Sequence, residues 1–150
     1  MLLRKSGAAP GSLRSVEARE DRNLRLLRAR NRMDRHYAEP LDVEALAAVA
    51  YMARSHFIQE FRAAFGQTPH RYLQRRRIER AMHLLRGSDQ PITDICLAVG
   101  YTSLGTFSRT FADIVGESPS AYRDGHVPPA EYVPGAFTMR WTRPAGDREG

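Results

Sequence analysis

Two stretches of this chain set polar and cationic side chains around phenylalanines spaced four apart: "ARSHFIQEFRAAF", residues 53–65, and "SLGTFSRTF", residues 103–111. At 3.6 residues per turn the phenylalanines share one helical face and the remaining side chains lie outside it. The outside of the first stretch carries Arg54, Ser55, Ile58, Gln59 and Arg62. In the second, Ser103 leads into Leu104, Gly105, Thr106, Ser108 and Arg109. These residue types suit the reading of base edges. An amide such as Gln59 pairs twofold with adenine N6 and N7, a guanidinium such as Arg109 pairs with guanine O6 and N7, and Leu104 or Thr106 meets a thymine methyl.

Other chemistries find little support. Cys96 is the only cysteine, so it forms no intramolecular disulfide and no multi-thiolate metal site; it reads as a small buried hydrophobe in a reducing interior. Asp94 and His126 can be imagined beside it as a nucleophilic set, but His126 falls in a Pro- and Gly-rich tail and no oxyanion-forming glycine turn accompanies them. The five histidines show no metal-ligand spacing. The chain therefore reads as a non-enzyme without a metal or cofactor.

Composition points the same way. The net charge of +6 comes from 22 arginines and a single lysine, Lys5, and such an excess favours a polyanionic partner. Nucleic acid leads; a membrane surface and simple solubility are the other readings of the charge. No stretch approaches the ~18 apolar residues of a membrane span, and the N-terminus lacks the apolar core of a signal peptide, so a cytoplasmic protein is expected.

The elements that must position the two outer faces are helical. Residues 1–21 lack sustained periodicity and read as a mobile arm, followed by a helix over 23–37 that Pro40 ends. Asp42 caps a short Ala-rich helix, a break follows near residues 51–53, and a second helix carries Phe57, Phe61 and Phe65. Two short helices about a tight turn suggest a helix-turn-helix. Thr68-Pro69 then opens a long helix, 69–86, with Ile78, Ala81, Met82 and Leu85 on one face and Arg76, Arg80 and His83 on the other. That basic stripe suits either a solvated face or contact with phosphate. A second helix-turn-helix occupies 90–123. Residues 124–150 form a Pro- and Gly-rich tail with at most one strand, over 137–141, in which Trp141 docks on the domain.

The two halves repeat. Shifting the sequence by fifty residues without a gap places Val49 on Val99, Tyr51 on Tyr101, Phe57 on Phe107, Phe61 on Phe111 and Gly66 on Gly116. Thr68-Pro69 falls on Ser118-Pro119 and Tyr72 on Tyr122. The shared positions are core and turn positions, and the outer ones differ, as two copies of one motif reading different sequences require. Gly105 then matches Ser55, so both second helices keep a minimal side chain in their first turn.

The stretch "DICLAVGYTSLGTFSRTFADIVGESPSAYR", with its Gly100-Tyr101 turn, Phe107, Arg109, Phe111, Gly116, Pro119 and Tyr122, resembles the signature of AraC/XylS-type transcriptional regulators. The resemblance runs over residues 22–123. It implies an all-α DNA-binding domain of about seven helices. Two helix-turn-helix subdomains, 22–67 and 90–123, are joined by a bridging helix over 69–86. It further implies binding of double-stranded promoter DNA and, usually, activation through RNA polymerase. By position, Ser55, Ile58 and Gln59 stand where such regulators touch bases, as do Leu104, Gly105, Thr106 and Arg109. Many members carry a basic residue at the place of Gln59 and a small or hydroxyl residue at that of Glu60; a carboxylate there repels phosphate if it faces the backbone. Flanks of 21 and 27 residues are short for a sensor domain, which resembles the stand-alone members and a monomer on an asymmetric site. A fragment or divergent product is the other reading. An interaction or antagonist module that kept the scaffold and binds DNA weakly is the alternative function.

Overall fold

The structure is a computed structural model that describes the backbone of residues 4–126, with side chains from Leu13 onward. Among these residues it holds seven helices and no strand: α1 (Arg4–Arg35), α2 (Val43–Val49), α3 (Arg54–Phe65), α4 (Pro69–Gly87), α5 (Ile92–Ala98), α6 (Leu104–Val115) and α7 (Pro119–Asp124). The expected strand over 137–141 and the docking of Trp141 lie outside the described residues.

Four helices begin, and two end, where local side-chain chemistry dictates. Asp42, Thr68, Ser103 and Ser118 each accept a hydrogen bond from the backbone N–H three residues on, replacing a bond that the first turn lacks. Pro69 and Pro119 occupy the first helical position, where no N–H is needed. Gly66 and Gly116 end α3 and α6 in the left-handed conformation, with φ of 81° and 100°.

The first helix departs from expectation. It starts at Arg4, so the segment read as an arm is the N-terminal part of a 32-residue helix. Residues 13–21 are all exposed, and packing begins with Leu26, Ala29 and Met33. An apolar stripe marks burial, and this stretch buries nothing. Its Arg, Ala, Glu and Leu residues favour a helix regardless.

Two apolar cores share α4. The first gathers Leu26, Ala29 and Met33 with Leu46, Ala47, Ala50, Phe57, Phe61 and Leu73. The second gathers Ile78, Ala81 and Leu85 with Ile95, Cys96, Val99, Tyr101, Phe107, Phe111 and Tyr122. In each, a tilted phenylalanine pair four residues apart meets a tyrosine edge-on: Phe57 and Phe61 with Tyr72, Phe107 and Phe111 with Tyr122. Tyr37, in the loop after α1, packs against both cores.

The repeat is real but contains a one-residue step. From α3 and α6 onward the offset is fifty. For α2 and α5 it is forty-nine: Leu46, Ala47 and Ala50 take the buried places of Ile95, Cys96 and Val99. The backbone confirms it, since Met52 N–H donates to Ala47 O at 2.9 Å as Tyr101 N–H donates to Cys96 O at 3.0 Å. The left-handed residue of the first turn is therefore Tyr51, φ 56°, in the role of Gly100, φ 102°. The pairings of Val49 with Val99 and of Tyr51 with Tyr101 give way to Ala50 with Val99 and Met52 with Tyr101. Thr102 is the extra residue of the second turn.

Candidate nucleic-acid interface

The helices α3 and α6 bury Phe57, Phe61, Phe107 and Phe111 completely, leave Phe65 half-buried at the end of α3, and turn their other faces outward. On α3, Arg54, Ser55, Gln59 and Arg62 are exposed and Ile58 is half-buried; on α6, Leu104, Gly105, Thr106 and Arg109 are exposed and Ser108 is half-buried. The structure thus brings ten of the expected residues onto two outward helical faces. Ser103 sits at the start of α6, where its Oγ accepts from Thr106 N–H at 3.2 Å. Neither helix has an acidic residue in its own first turn, where a carboxylate would offset the positive end of the helix dipole.

Charge pairing modifies several of these side chains. Arg54 Nε lies 3.1 Å from Glu44 Oε2, an exposed pair at the entry of α3. Glu60 is turned toward α1, with Oε1 3.1 Å from Arg22 Nε, so its carboxylate is met within the domain. Arg109 folds along α6, its Nη2 reaching Thr106 Oγ1 at 3.5 Å.

The two bridging-helix arginines part company. Arg76 is held against α1: its guanidinium stacks 4.7 Å from the Tyr37 ring centroid, Nε lies 3.8 Å from Asp34 Oδ1 and Nη2 donates to Asp34 O at 3.5 Å. The stripe that pairs it with Arg80 on an outer face does not hold for Arg76. Arg80 is half-buried and has no ion-pair partner among the described residues.

Many of the arginines that inflate the net charge cap carbonyls. Arg25 donates to Ala50 O and Tyr51 O, both at 3.3 Å, securing the first turn. Arg123 donates to Leu85 O at 3.3 Å and Ser88 O at 3.2 Å. Arg77 donates from Nε to Tyr37 O at 2.6 Å and from Nη2 to Glu39 O at 2.8 Å, and its burial lowers its pKa. The sequence carries a signal for the inward direction of Arg77: it stands four residues from both Leu73 and Ala81, on the core-facing stripe of α4.

Cys96, His126 and Asp94 stand apart from one another. Cys96 is buried, burial pushes its thiol pKa up, and its Sγ faces Tyr101 O at 3.8 Å. His126 stacks on Tyr122 with its Nδ1 2.7 Å from Tyr122 O, while Asp94 is exposed on α5, so no nucleophilic set forms around Cys96.

Known proteins match this arrangement. The helix-turn-helix domain family matches residues 46–125. The MmsAB operon regulatory protein of Pseudomonas aeruginosa is 40% identical over 91 residues, which are 61% of this chain and 30% of that protein. Regulatory protein SoxS of Salmonella typhimurium is 34% identical over 91 residues, 61% of this chain and 85% of that protein. The crystal structure of the DNA-binding domain of AdpA, in complex with a target DNA, superposes with a TM-score of 0.65 at 34% identity, covering 67% of this chain and 91% of that one. The chain spans less than half the length of the first curated relatives it matches. No described helix is long and apolar enough to cross a membrane.

Proposed function

Because the chain belongs to the AraC-type family of helix-turn-helix transcriptional regulators, we propose that it binds double-stranded promoter DNA by seating α3 and α6 in adjacent major-groove segments. One observation carries the reading. Two copies of one Phe-backed scaffold expose dissimilar faces, Arg54, Ser55, Ile58, Gln59 and Arg62 on one and Leu104, Gly105, Thr106, Ser108 and Arg109 on the other. Two unlike faces on one chain suit an asymmetric site filled by a monomer.

The residues take different parts in this reading. Gln59 reads adenine and Arg109 reads guanine, while Leu104 and Thr106 face thymine methyls. Arg62 and Arg80 meet phosphates, which fix register without specifying sequence. The 19-residue α4, about 28 Å long at 1.5 Å per residue, is of the right order to hold two motifs over major-groove segments about 34 Å apart once the width of each unit is added. Arg76 serves the fold. In line with its family resemblance, the bound chain acts in the cytoplasm as an activator that engages RNA polymerase.

Binding to duplexes selected from a random pool tests the proposal. Two half-sites of different sequence are the expected outcome, with log K falling linearly in log salt by about 0.9 per phosphate neutralised. A flat salt response, or no binding at low salt, overturns it in favour of a protein-interaction module.

A further inference from the structure

Beyond the family's shared scaffold, we infer that Arg77 is a positioning residue that fixes the separation of half-sites the chain accepts, by clasping the two helix-turn-helix units together. The inference rests on the reading of α3 and α6 as the DNA-reading helices.

The clasp joins elements from both units. Tyr37, Ala38 and Glu39 belong to the loop between α1 and α2, in the first unit; Gly100 and Tyr101 form the turn of the second. Arg77, midway along α4, donates to Tyr37 O at 2.6 Å and Glu39 O at 2.8 Å while its guanidinium stands 5.6 Å from the Tyr101 ring centroid. The two chain segments approach so closely that a Cβ on Gly100 would lie 3.0 Å from Ala38 Cα, 3.0 Å from Arg77 Nε and 3.1 Å from Ala38 O. Gly66 and Gly116 share the left-handed backbone, yet a Cβ there would meet nothing within 4 Å. Close approach, and not only the turn, therefore requires glycine at residue 100. A further strut, Arg71 Nη2 to Asp113 Oδ2 at 2.8 Å, ties the start of α4 to α6.

Such a seam has a consequence on DNA. Inserting one base pair between half-sites shifts and rotates one relative to the other by about 34°, since a helical turn takes 10–10.5 base pairs. Two motifs linked only through a single helix can follow part of that rotation by bending it. Two motifs also locked through Arg77 and the Gly100–Ala38 contact cannot.

The test uses the full chain on duplexes carrying the two selected half-sites at the selected separation and at one or two base pairs more or fewer. Wild type should lose about tenfold or more at a one-base-pair change, comparable to a lost base contact. Arg77→Met and Gly100→Asn should cut that penalty to about threefold or less while base preference within each half-site stays the same. Asn tolerates the left-handed backbone, so Gly100→Asn isolates the lost close approach. Arg77→Lys, which reaches one carbonyl, should fall between. Folding of each variant is checked by helical circular dichroism and cooperative melting. A folded Arg77→Met with the wild-type spacing penalty overturns the inference.

A second measurement is independent of DNA. Spin labels on cysteines replacing the exposed Ala63 and Ala112, in a Cys96→Ser background, report the distance between α3 and α6. The distribution should broaden in Arg77→Met and stay narrow in Arg75→Met. If wild type selects no paired half-sites, the DNA reading fails and this measurement alone decides the clasp; an unchanged width in folded Arg77→Met then overturns it.

Discussion

Arg109 lays its guanidinium over Gly105: a Cβ built on that glycine would stand 3.4 Å from Arg109 Nη1 and 3.8 Å from Ser103 Oγ. Those distances are at the edge of ordinary contact, so alanine fits. Gly105→Ala should raise stability by up to about 1 kcal/mol, because glycine in a helix is that much less favourable than alanine. If the bare backbone lets α6 approach the groove closely, the same change should weaken DNA binding. Urea unfolding and duplex titration read the two effects separately, and unchanged affinity would refute the close approach.

The proposed separation of base-reading from phosphate-meeting and packing residues implies three distinct phenotypes. Arg109→Ala should cost about 1–3 kcal/mol and relax preference at one or two positions of one half-site. Arg80→Ala should weaken all duplexes alike and reduce the salt slope by about one. Arg76→Ala should leave the salt slope in place and lower unfolding stability by about 1 kcal/mol, since it loses the stack on Tyr37 and leaves Asp34 underpaired. Retained site preference in Arg109→Ala would show that the second reading helix is misassigned.

These assignments show where sequence sufficed. Phe57, Phe61, Phe107 and Phe111 declare a buried stripe through spacing alone, and Thr68-Pro69, Ser118-Pro119, Gly66 and Gly116 declare helix ends through side-chain chemistry. Each signal is local. The step from fifty to forty-nine was illegible because a tyrosine in left-handed backbone has no local signature; Tyr101 offered a false match for Tyr51. The arginines were equally ambiguous. Whether Arg76 meets phosphate or Asp34 depends on α1, some forty residues away in the chain, and a helical stripe says only which way a side chain leaves the helix.

Tyr51 makes that illegible step testable. It holds φ at 56° and is 75% exposed, so it bears left-handed strain while burying little. The strain costs about 1–2 kcal/mol, and glycine removes it while adding about 0.4–1 kcal/mol of unfolded-state entropy. Tyr51→Gly should therefore stabilise the chain by about 0.5–1 kcal/mol, read as a higher denaturation midpoint with an unchanged slope. A lower midpoint would mean that the Tyr51 side chain makes a contact worth more than the strain.

Tyr72 provides the pH dependence. Its hydroxyl donates to Asp34 Oδ1 at 2.8 Å, and burial first, then the bond to that carboxylate, push its pKa from 10.0 up to about 12. The fold thus favours the protonated phenol. Its contribution is complete below pH 10, where the unfolded chain also keeps the proton, and is lost as pH climbs toward 12, where folding must otherwise hold a proton that the unfolded chain has released. Burial raises the Tyr101 pKa as well, but Tyr101 is present in wild type and in Tyr72→Phe, so its effect cancels in the difference. At neutral pH Tyr72→Phe should be less stable by about 1.5 kcal/mol, the low end for a hydrogen bond to a charged acceptor, since Asp34 keeps Arg76 beside it. Above pH 10 the gap should close, because wild type loses what the variant never had. Urea unfolding of both chains at steps from pH 7 to 11.5 measures it, and a constant gap across that range would show that neither burial nor the Asp34 bond perturbs the Tyr72 proton.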